Sequence, residues 1–177
     1  GTKRVMTEPG PSTIRDMADK RFRIRTATID DLEALLSLEV RCFETGPYRH
    51  HRFERSQYRY YLANPQAIVL LALAGDRPIG SLLATAGRRS RAHVGRFVSI
   101  AVVRHRRRQG IGSGLLAQAL RALRQRGCRR VYLEVAHTAK AALSMFRATG
   151  FRPVRSLPSY YGRFTDGLRM MLDFEKS

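Results

Sequence analysis

The sequence has no apolar run approaching the ~20 residues of a membrane-spanning helix. No apolar segment near its start resembles a secretory signal. These absences argue against a membrane protein and make a cytoplasmic one the expectation. Cysteine is scarce: Cys42 and Cys128 stand alone, without paired or metal-like spacing. That argues against a disulfide scaffold and for thiols in a reducing compartment. His50-His51 lack the carboxylate or cysteine partners of a metal site, so no metal is expected. Acids are few as well, 14 against 33 Lys+Arg, for a net charge of +19. Lysine is rarer still: Lys3, Lys20, Lys140 and Lys176 are the only four, leaving 33 − 4 = 29 arginines. Guanidinium groups grip phosphates and carboxylates in a bidentate fork, so this surface should attract polyanions, ribosomes or acidic substrates. A genome-wide arginine bias gives the same count without any binding role.

What is present fits one domain: 177 residues, 44% of them hydrophobic, suffice for a real core. Residues 1–20 are polar and broken by Gly and Pro, and read as a mobile tail before a single domain over 21–177. "RFRIRTATIDD" alternates as a strand, with Phe22 and Ile24 on one face. A helix follows, capped at Thr28 or Asp30, in which Leu32, Leu35, Leu36 and Val40 recur at helical spacing. "FERSQYRYYLANP" is a second helix stopped by Asn64-Pro65. "AIVLLALAGDRPIGSLLATAG" reads as a hairpin turning at Gly75-Asp76-Arg77-Pro78. The run Val98–Val103 predicts a strand buried on both faces. In "IGSGLLAQALRALRQRG", Ile111, Leu115, Leu116, Ala119, Leu120 and Leu123 form one stripe that Gly127 ends. "RRVYLEV" is a strand, "TAKAALSMFRATG" a helix closed by Gly150, and "FRPVRSL" and "LRMMLDFE" are closing strands. The order β-α-α-β-β-β-α-β-α-β-β is a mixed α/β domain with one β-α-β unit at 96–135.

The segment "RRRQGIGSGLL" (106–116) joins that unit's first strand to its helix. A helix N-terminus carries unpaired N–H groups and partial positive charge, and glycines let an anion approach them. With Gly110, Gly112 and Gly114 at the turn and Arg106, Arg107 and Arg108 beside it, a phosphorylated ligand is the leading expectation. A Walker A loop would need Gly-Lys-Ser/Thr, and this segment has no lysine. A dinucleotide fingerprint would need G-x-G-x-x-G, whereas the spacing here is G-x-G-x-G. Glu134, closing the next strand, keeps a ribose-binding acid open as an alternative. A turn that merely packs helix on strand is the plain structural reading.

The same residues resemble the acetyl-CoA signature of the GNAT N-acetyltransferase superfamily, Gln/Arg-x-x-Gly-x-Gly/Ala, over Arg107, Arg108, Gln109, Gly110, Ile111 and Gly112. "YLEV" at 132–135, "AALSMFRATGF" at 141–151 and "YYG…DGLRMML" at 160–172 continue the resemblance, from about residue 22 to 174. The C-terminal half is most similar to the branch that acetylates protein N-terminal α-amines, ribosomal proteins included. The resemblance implies an α/β fold with a central, mostly antiparallel, splayed sheet flanked by helices. It implies acetyl-CoA as co-substrate, its pyrophosphate on the amides of Arg108 through Ser113. The pantetheine arm would lie along Ile100-Ala101-Val102, and Phe146 would border the cofactor.

For acetyl transfer to an amine by direct attack, a proton must leave the ammonium and the departing thiolate benefits from one. Glu134 is the expected base: alternation separates it and Tyr132 from Val131, Leu133 and Val135 at the strand's end, and the resemblance implies a glutamate base, acting directly or through water, at this position; the competing reading pairs it with an arginine. The family's usual tyrosine acid is replaced by Phe146, and an asparagine often found near that helix's start by Ala139. Either the thiolate leaves with a proton from water or the amine, or another phenol substitutes; Tyr160 and Tyr161, matching the family's peptide-binding hairpin, are the candidate phenols and substrate contacts. Glu44 is expected at the acceptor site, and His137 is a lesser proton-shuttle candidate. Asp166-Gly167 should turn into the last strand. The expected partners are an amine acceptor such as a protein N-terminus or ribosomal protein, a second copy of the chain, and nucleic acid through the positive charge. The alternative reading is a nucleic-acid- or ribosome-binding protein that keeps the fold with little catalysis.

Overall fold

The computed structural model describes residues 21–89 and 92–175, so the expected tail at 1–20 lies outside the described residues. Strand β1 (Arg23–Thr26) leads through a turn of 3-10 helix into helix α1 (Leu32–Cys42). Arg25 donates to both carboxylate oxygens of Asp31, at 2.7 and 2.9 Å, and Thr28 N–H donates to the same carboxylate at 2.8 Å. That closes the capping arrangement expected at Thr28. Helix α1 buries Leu32, Leu35, Leu38 and Glu39, whereas Val40 is 53% exposed. The buried stripe therefore runs one residue to the side of the expected one and takes a carboxylate with it.

Helix α2 (Arg55–Ala63) ends at Asn64, before Pro65. The hairpin of β2 (Ala67–Ala74) and β3 (Arg77–Arg89) turns on Gly75 and Asp76 alone, two residues fewer than expected, because Ala74 already pairs with Arg77. Gly75 supplies the positive φ, 59°, that such a tight turn needs. Strand β4 (Ala92–Val102) feeds helix α3 (Ile111–Gln125), whose expected stripe from Ile111 to Leu123 is buried at all six positions. Then come β5 (Arg130–Ala136), helix α4 (Lys140–Thr149), β6 (Arg152–Leu157) and β7 (Gly167–Asp173).

The seven strands form one sheet in the order β1-β2-β3-β4-β5-β7-β6, antiparallel except for β4 and β5. Helices cover both faces: Gly80 of β3 looks toward Ile111 and Leu115 of α3, while its neighbour Ser81 meets Tyr58 of α2. Among the described residues, one of the sheet's three register shifts lies in β4. Leu83 pairs with Ser99 and Ala84 with Phe97, so Val98 is an extra residue and the strand bulges there. The β4–β5 ladder ends at the pair Arg96 and Tyr132, before the bulge. Beyond it the two central strands part. For that reason Val98, Ile100 and Val102 are only half-buried instead of enclosed on both faces.

Candidate active site

The parted strands open onto two adjoining cavities. The larger, about 910 Å³, is bounded by Ile100 to Val102, the turn and first residues of α3, and the start of α4. The smaller, about 430 Å³, is bounded by Glu39 of α1, Arg96 and Ser99 of β4, Glu134 of β5, Phe146 of α4 and the tyrosines of the β6–β7 loop. Phe43, Tyr48, Ile100 and Ala142 belong to both walls, so the cavities meet at the mouth of the splay.

The larger cavity has the chemistry of a phosphate cradle. Gly114 N–H makes the first helical bond of α3, to Gly110 C=O at 2.9 Å. The amides of Ile111, Gly112 and Ser113 therefore precede it without intrahelical acceptors. Arg108 and Gly110 hold positive φ values of 63° and 82°. For a non-glycine residue such as Arg108 that conformation is strained, and strain of this kind gathers at functional loops. Arg104, Arg106, Arg107 and Arg108 line the wall, with Arg107 Nε tied to the Val102 carbonyl at 3.2 Å. Above them Ile100 to Val102 face the side where β5 has departed, leaving an edge along which an extended chain can pair. A diphosphate with a long amide-containing arm fits this combination of amides, guanidiniums and open strand edge.

The expected cofactor residues Ile100, Ala101, Val102, Arg107, Arg108, Gly110, Ile111, Gly112 and Ser113 all line this cavity. Gln109 does not: its amide reaches back to the His105 carbonyl at 3.5 Å. Phe146 is buried and bounds the smaller cavity, its ring 5.8 Å from that of Phe151. The glycines divide the work. Only Gly110 precedes the helix with open space around it. A Cβ on Gly112 would lie 3.2 Å from Met145 Sδ, and one on Gly114 would lie 3.3 Å from Ile24. Those two serve close packing of α3 on α4 and on β1.

In the smaller cavity Glu134 is paired. Arg96 contacts both of its oxygens, and Arg169 Nε donates at 3.2 Å. Register explains the trio: Arg169 is directly opposite Glu134 on β7, and Arg96 is opposite Tyr132, one pleat away on the same face of β5. Tyr161 and Tyr160 stack edge-to-face with ring centres 4.9 Å apart, and Tyr161 meets Tyr48 at 5.0 Å and His51 at 5.7 Å. Burial pushes the Tyr161 phenol far above its ordinary range, so it stays a donor.

Glu44 bounds the larger cavity, not the smaller where an acceptor contact was expected. His137 bounds neither: its ring and its N–H both engage the Asp166 carbonyl, at 2.8 and 3.0 Å. Asp166 in turn accepts from Ser159 N–H at 2.8 Å, pinning the loop just before β7 begins at Gly167. Among the described residues no three His, Cys, Asp or Glu side chains gather as a metal site.

Two residues of the site escape the sequence reading. Tyr48, at the junction of the cavities, accepts a hydrogen bond from Ala136 N–H at 3.0 Å, which ties the first interhelical loop to the end of β5. Glu39 lies at the inner wall of the smaller cavity. Its signal was its spacing, seven residues after Leu32 and four after Leu35, on the stripe that packs inward.

The family model described as "Acetyltransferase (GNAT) family" matches residues 32–151. The Arabidopsis thaliana protein named N-alpha-acetyltransferase MAK3 is 29% identical over 67% of this chain and 63% of its own length. The Sulfolobus acidocaldarius protein named N-alpha-acetyltransferase is 28% identical over 84% of this chain and 90% of its own. The chain spans 63% of the first of these, and 32% to 42% of vertebrate relatives that also match. The crystal structure of the Escherichia coli ribosomal-protein-S18-alanine N-acetyltransferase superposes with a TM-score of 0.74 at 19% identity, over 86% of this chain and 94% of that one. At that identity the likeness concerns the fold.

Proposed function

The chain belongs to the GNAT acetyltransferase family, and we propose that it moves the acetyl group of acetyl-CoA to a primary amine, the α-amine of a protein or peptide N-terminus. One observation carries this reading: a cavity lined by arginines and the amides at the start of α3, and a carboxylate- and tyrosine-lined cavity, join where β4 leaves β5. Such a junction lets two substrates, one in each cavity, react where they meet. The names of the Arabidopsis and Sulfolobus relatives support an α-amine as acceptor. Acetyl-CoA when bound supplies an activated acyl group on a good leaving thiolate.

The chain's own residues then have the following proposed roles. The amides of Ile111 to Ser113, with Arg107 and Arg108, hold the diphosphate, and Ile100 to Val102 hydrogen-bond the pantetheine arm. Gln109 supports the turn through the His105 carbonyl. Tyr160 and Tyr161 wall the acceptor site and fix the peptide's first residue, and Glu44 acts at the mouth of the larger cavity. Glu134 orients the amine through a water, since Arg96 and Arg169 already occupy its oxygens. Phe146 gives van der Waals contact only, so the proton for the departing sulfur comes from the attacking nitrogen, relayed by a phenol. Tyr48, at the junction of the cavities, is the best placed of the three. The proposed compartment is the cytoplasm, supported by the free thiols of Cys42 and Cys128. A ribosomal protein as acceptor and nucleic acid as a further partner are supported only by the charge of +19.

Calorimetry tests the assignment of the larger cavity. Acetyl-CoA should bind with an affinity that falls as salt screens the arginines, and NADH should not bind. Binding of NADH in preference to acetyl-CoA would overturn it.

A further inference from the structure

The two carboxylates of the smaller cavity have opposite electrostatic company. Glu134 has two guanidiniums in contact. Glu39, 3% exposed, has none in contact among the described residues; its cationic influence is Arg52, acting at a distance. Its partners are neutral donors: Tyr58 O–H at 2.7 Å, Phe53 N–H at 3.2 Å and Ser99 Oγ at 3.5 Å. They come from α2, from the segment before it and from the stretch of β4 that the bulge turns away from β5. They fix the carboxylate against the cavity wall.

Two acids in one site with unlike surroundings divide their labour, the buried and unpaired one holding a proton the more readily. Resting on the acetyltransferase reading, we propose that Glu39 is where the proton taken from the acceptor's ammonium comes to rest, while Glu134 and its arginines position the amine. The ammonium gives one proton, through water in the cavity, to the Glu39 carboxylate. The freed nitrogen lone pair forms the N–C bond to the acetyl carbon as the C–S bond breaks. The second proton on nitrogen passes to the sulfur, giving the thiol. Glu39 then releases its proton to solvent and is reset.

Burial pushes the Glu39 carboxyl above the usual glutamate range, against the opposing pull of Tyr58, Phe53 N–H, Ser99 and Arg52. That brings it nearer the pH at which a base must work. The other titratable or charged groups that face it are Cys42 one turn along α1, Arg96 and Glu134 across the cavity, and Tyr48, His51, Tyr160 and Tyr161 on its rim. A raised folded-state pKa has a second consequence. Relative to the protonated form, folding stability is lost as pH rises from the unfolded glutamate value through the folded one. Glu39→Gln should therefore leave thermal stability at neutral pH unchanged or higher, which loss of a merely structural carboxylate would not.

The test is thiol release from acetyl-CoA with N-terminal peptides across pH, using the full chain. Wild type should show a low-pH limb set by Glu39. In Glu39→Gln that limb should vanish and kcat fall by roughly 100-fold or more, with acetyl-CoA affinity unchanged. Glu134→Gln should lower kcat yet keep the limb. Tyr58→Phe, which removes a donor that favours the charged form, should move the limb to higher pH. A limb that survives in Glu39→Gln, or stays in place in Tyr58→Phe, overturns the inference alone. A wild type that neither binds nor turns over acetyl-CoA overturns the proposed function and this inference with it.

Discussion

At the scale of single residues, the three glycines of the α3 turn look equivalent in the sequence and are not so in the fold. Gly110 adopts a conformation that side chains rarely tolerate, whereas Gly112 and Gly114 are ordinary helical residues pressed against neighbours. Gly110→Ala should cost roughly 1–2 kcal/mol from left-handed strain, read as a lower denaturation midpoint. It should also weaken acetyl-CoA binding several-fold, as the amides lose their aim. Gly112→Ala should cost less, because the atom it approaches is the thioether of a flexible methionine. Equal losses from the two would contradict this division. The pattern of small residues was legible as a backbone that something approaches closely; which glycine meets a ligand and which a side chain depends on α4 and β1, remote in sequence. The spacing of Glu39 was visible but its burial was not, for a related reason. On an amphipathic helix an acid reads as solvent-facing, and only Tyr58, 19 residues on, gives it a buried partner.

At the scale of elements, the sequence carried the strands and helices well, since each has its own period and its own stop. The six-residue stripe of α3 and the glycine closing α4 at φ 113° are local signals that tertiary packing did not override. The splay between β4 and β5 was different. It was expected from family resemblance alone, because a bulge at Val98 and a ladder ending at Arg96 are facts about two strands, and one strand's residues do not encode them. Gly80 makes the consequence testable. A Cβ there would lie 2.9 Å from the Ala101 carbonyl oxygen, on the β3-facing side of the strand whose other edge is the proposed cofactor site, and 3.2 Å from Ile111. Backbone cannot swing aside as a methionine can. Gly80→Ala should therefore destabilise the fold by about 1–3 kcal/mol and raise the KM for acetyl-CoA. A variant with unchanged melting and unchanged KM would show that β4 has slack at this point.

At the scale of the whole molecule, both cavities are assembled from segments scattered between residues 39 and 161, so neither could be seen in any window of sequence. What could be seen was the excess of arginine, and the fold gives part of it local work: Arg25 closes a cap, Arg96 and Arg169 hold Glu134, and five arginines bound the larger cavity. The remaining charge bears on encounter with partners more than on folding. The account stands on the claim that the two cavities bring an acetyl donor and an α-amine together. The most direct measurement is incubation of the full chain with acetyl-CoA and a set of peptides with free or blocked N-termini, following thiol release and locating any acetyl group by mass spectrometry. Thiol release matched by acetylation at the α-amine, and lost on blocking it, is the expected result; acetylation confined to lysine side chains, or no transfer to any amine, would contradict it.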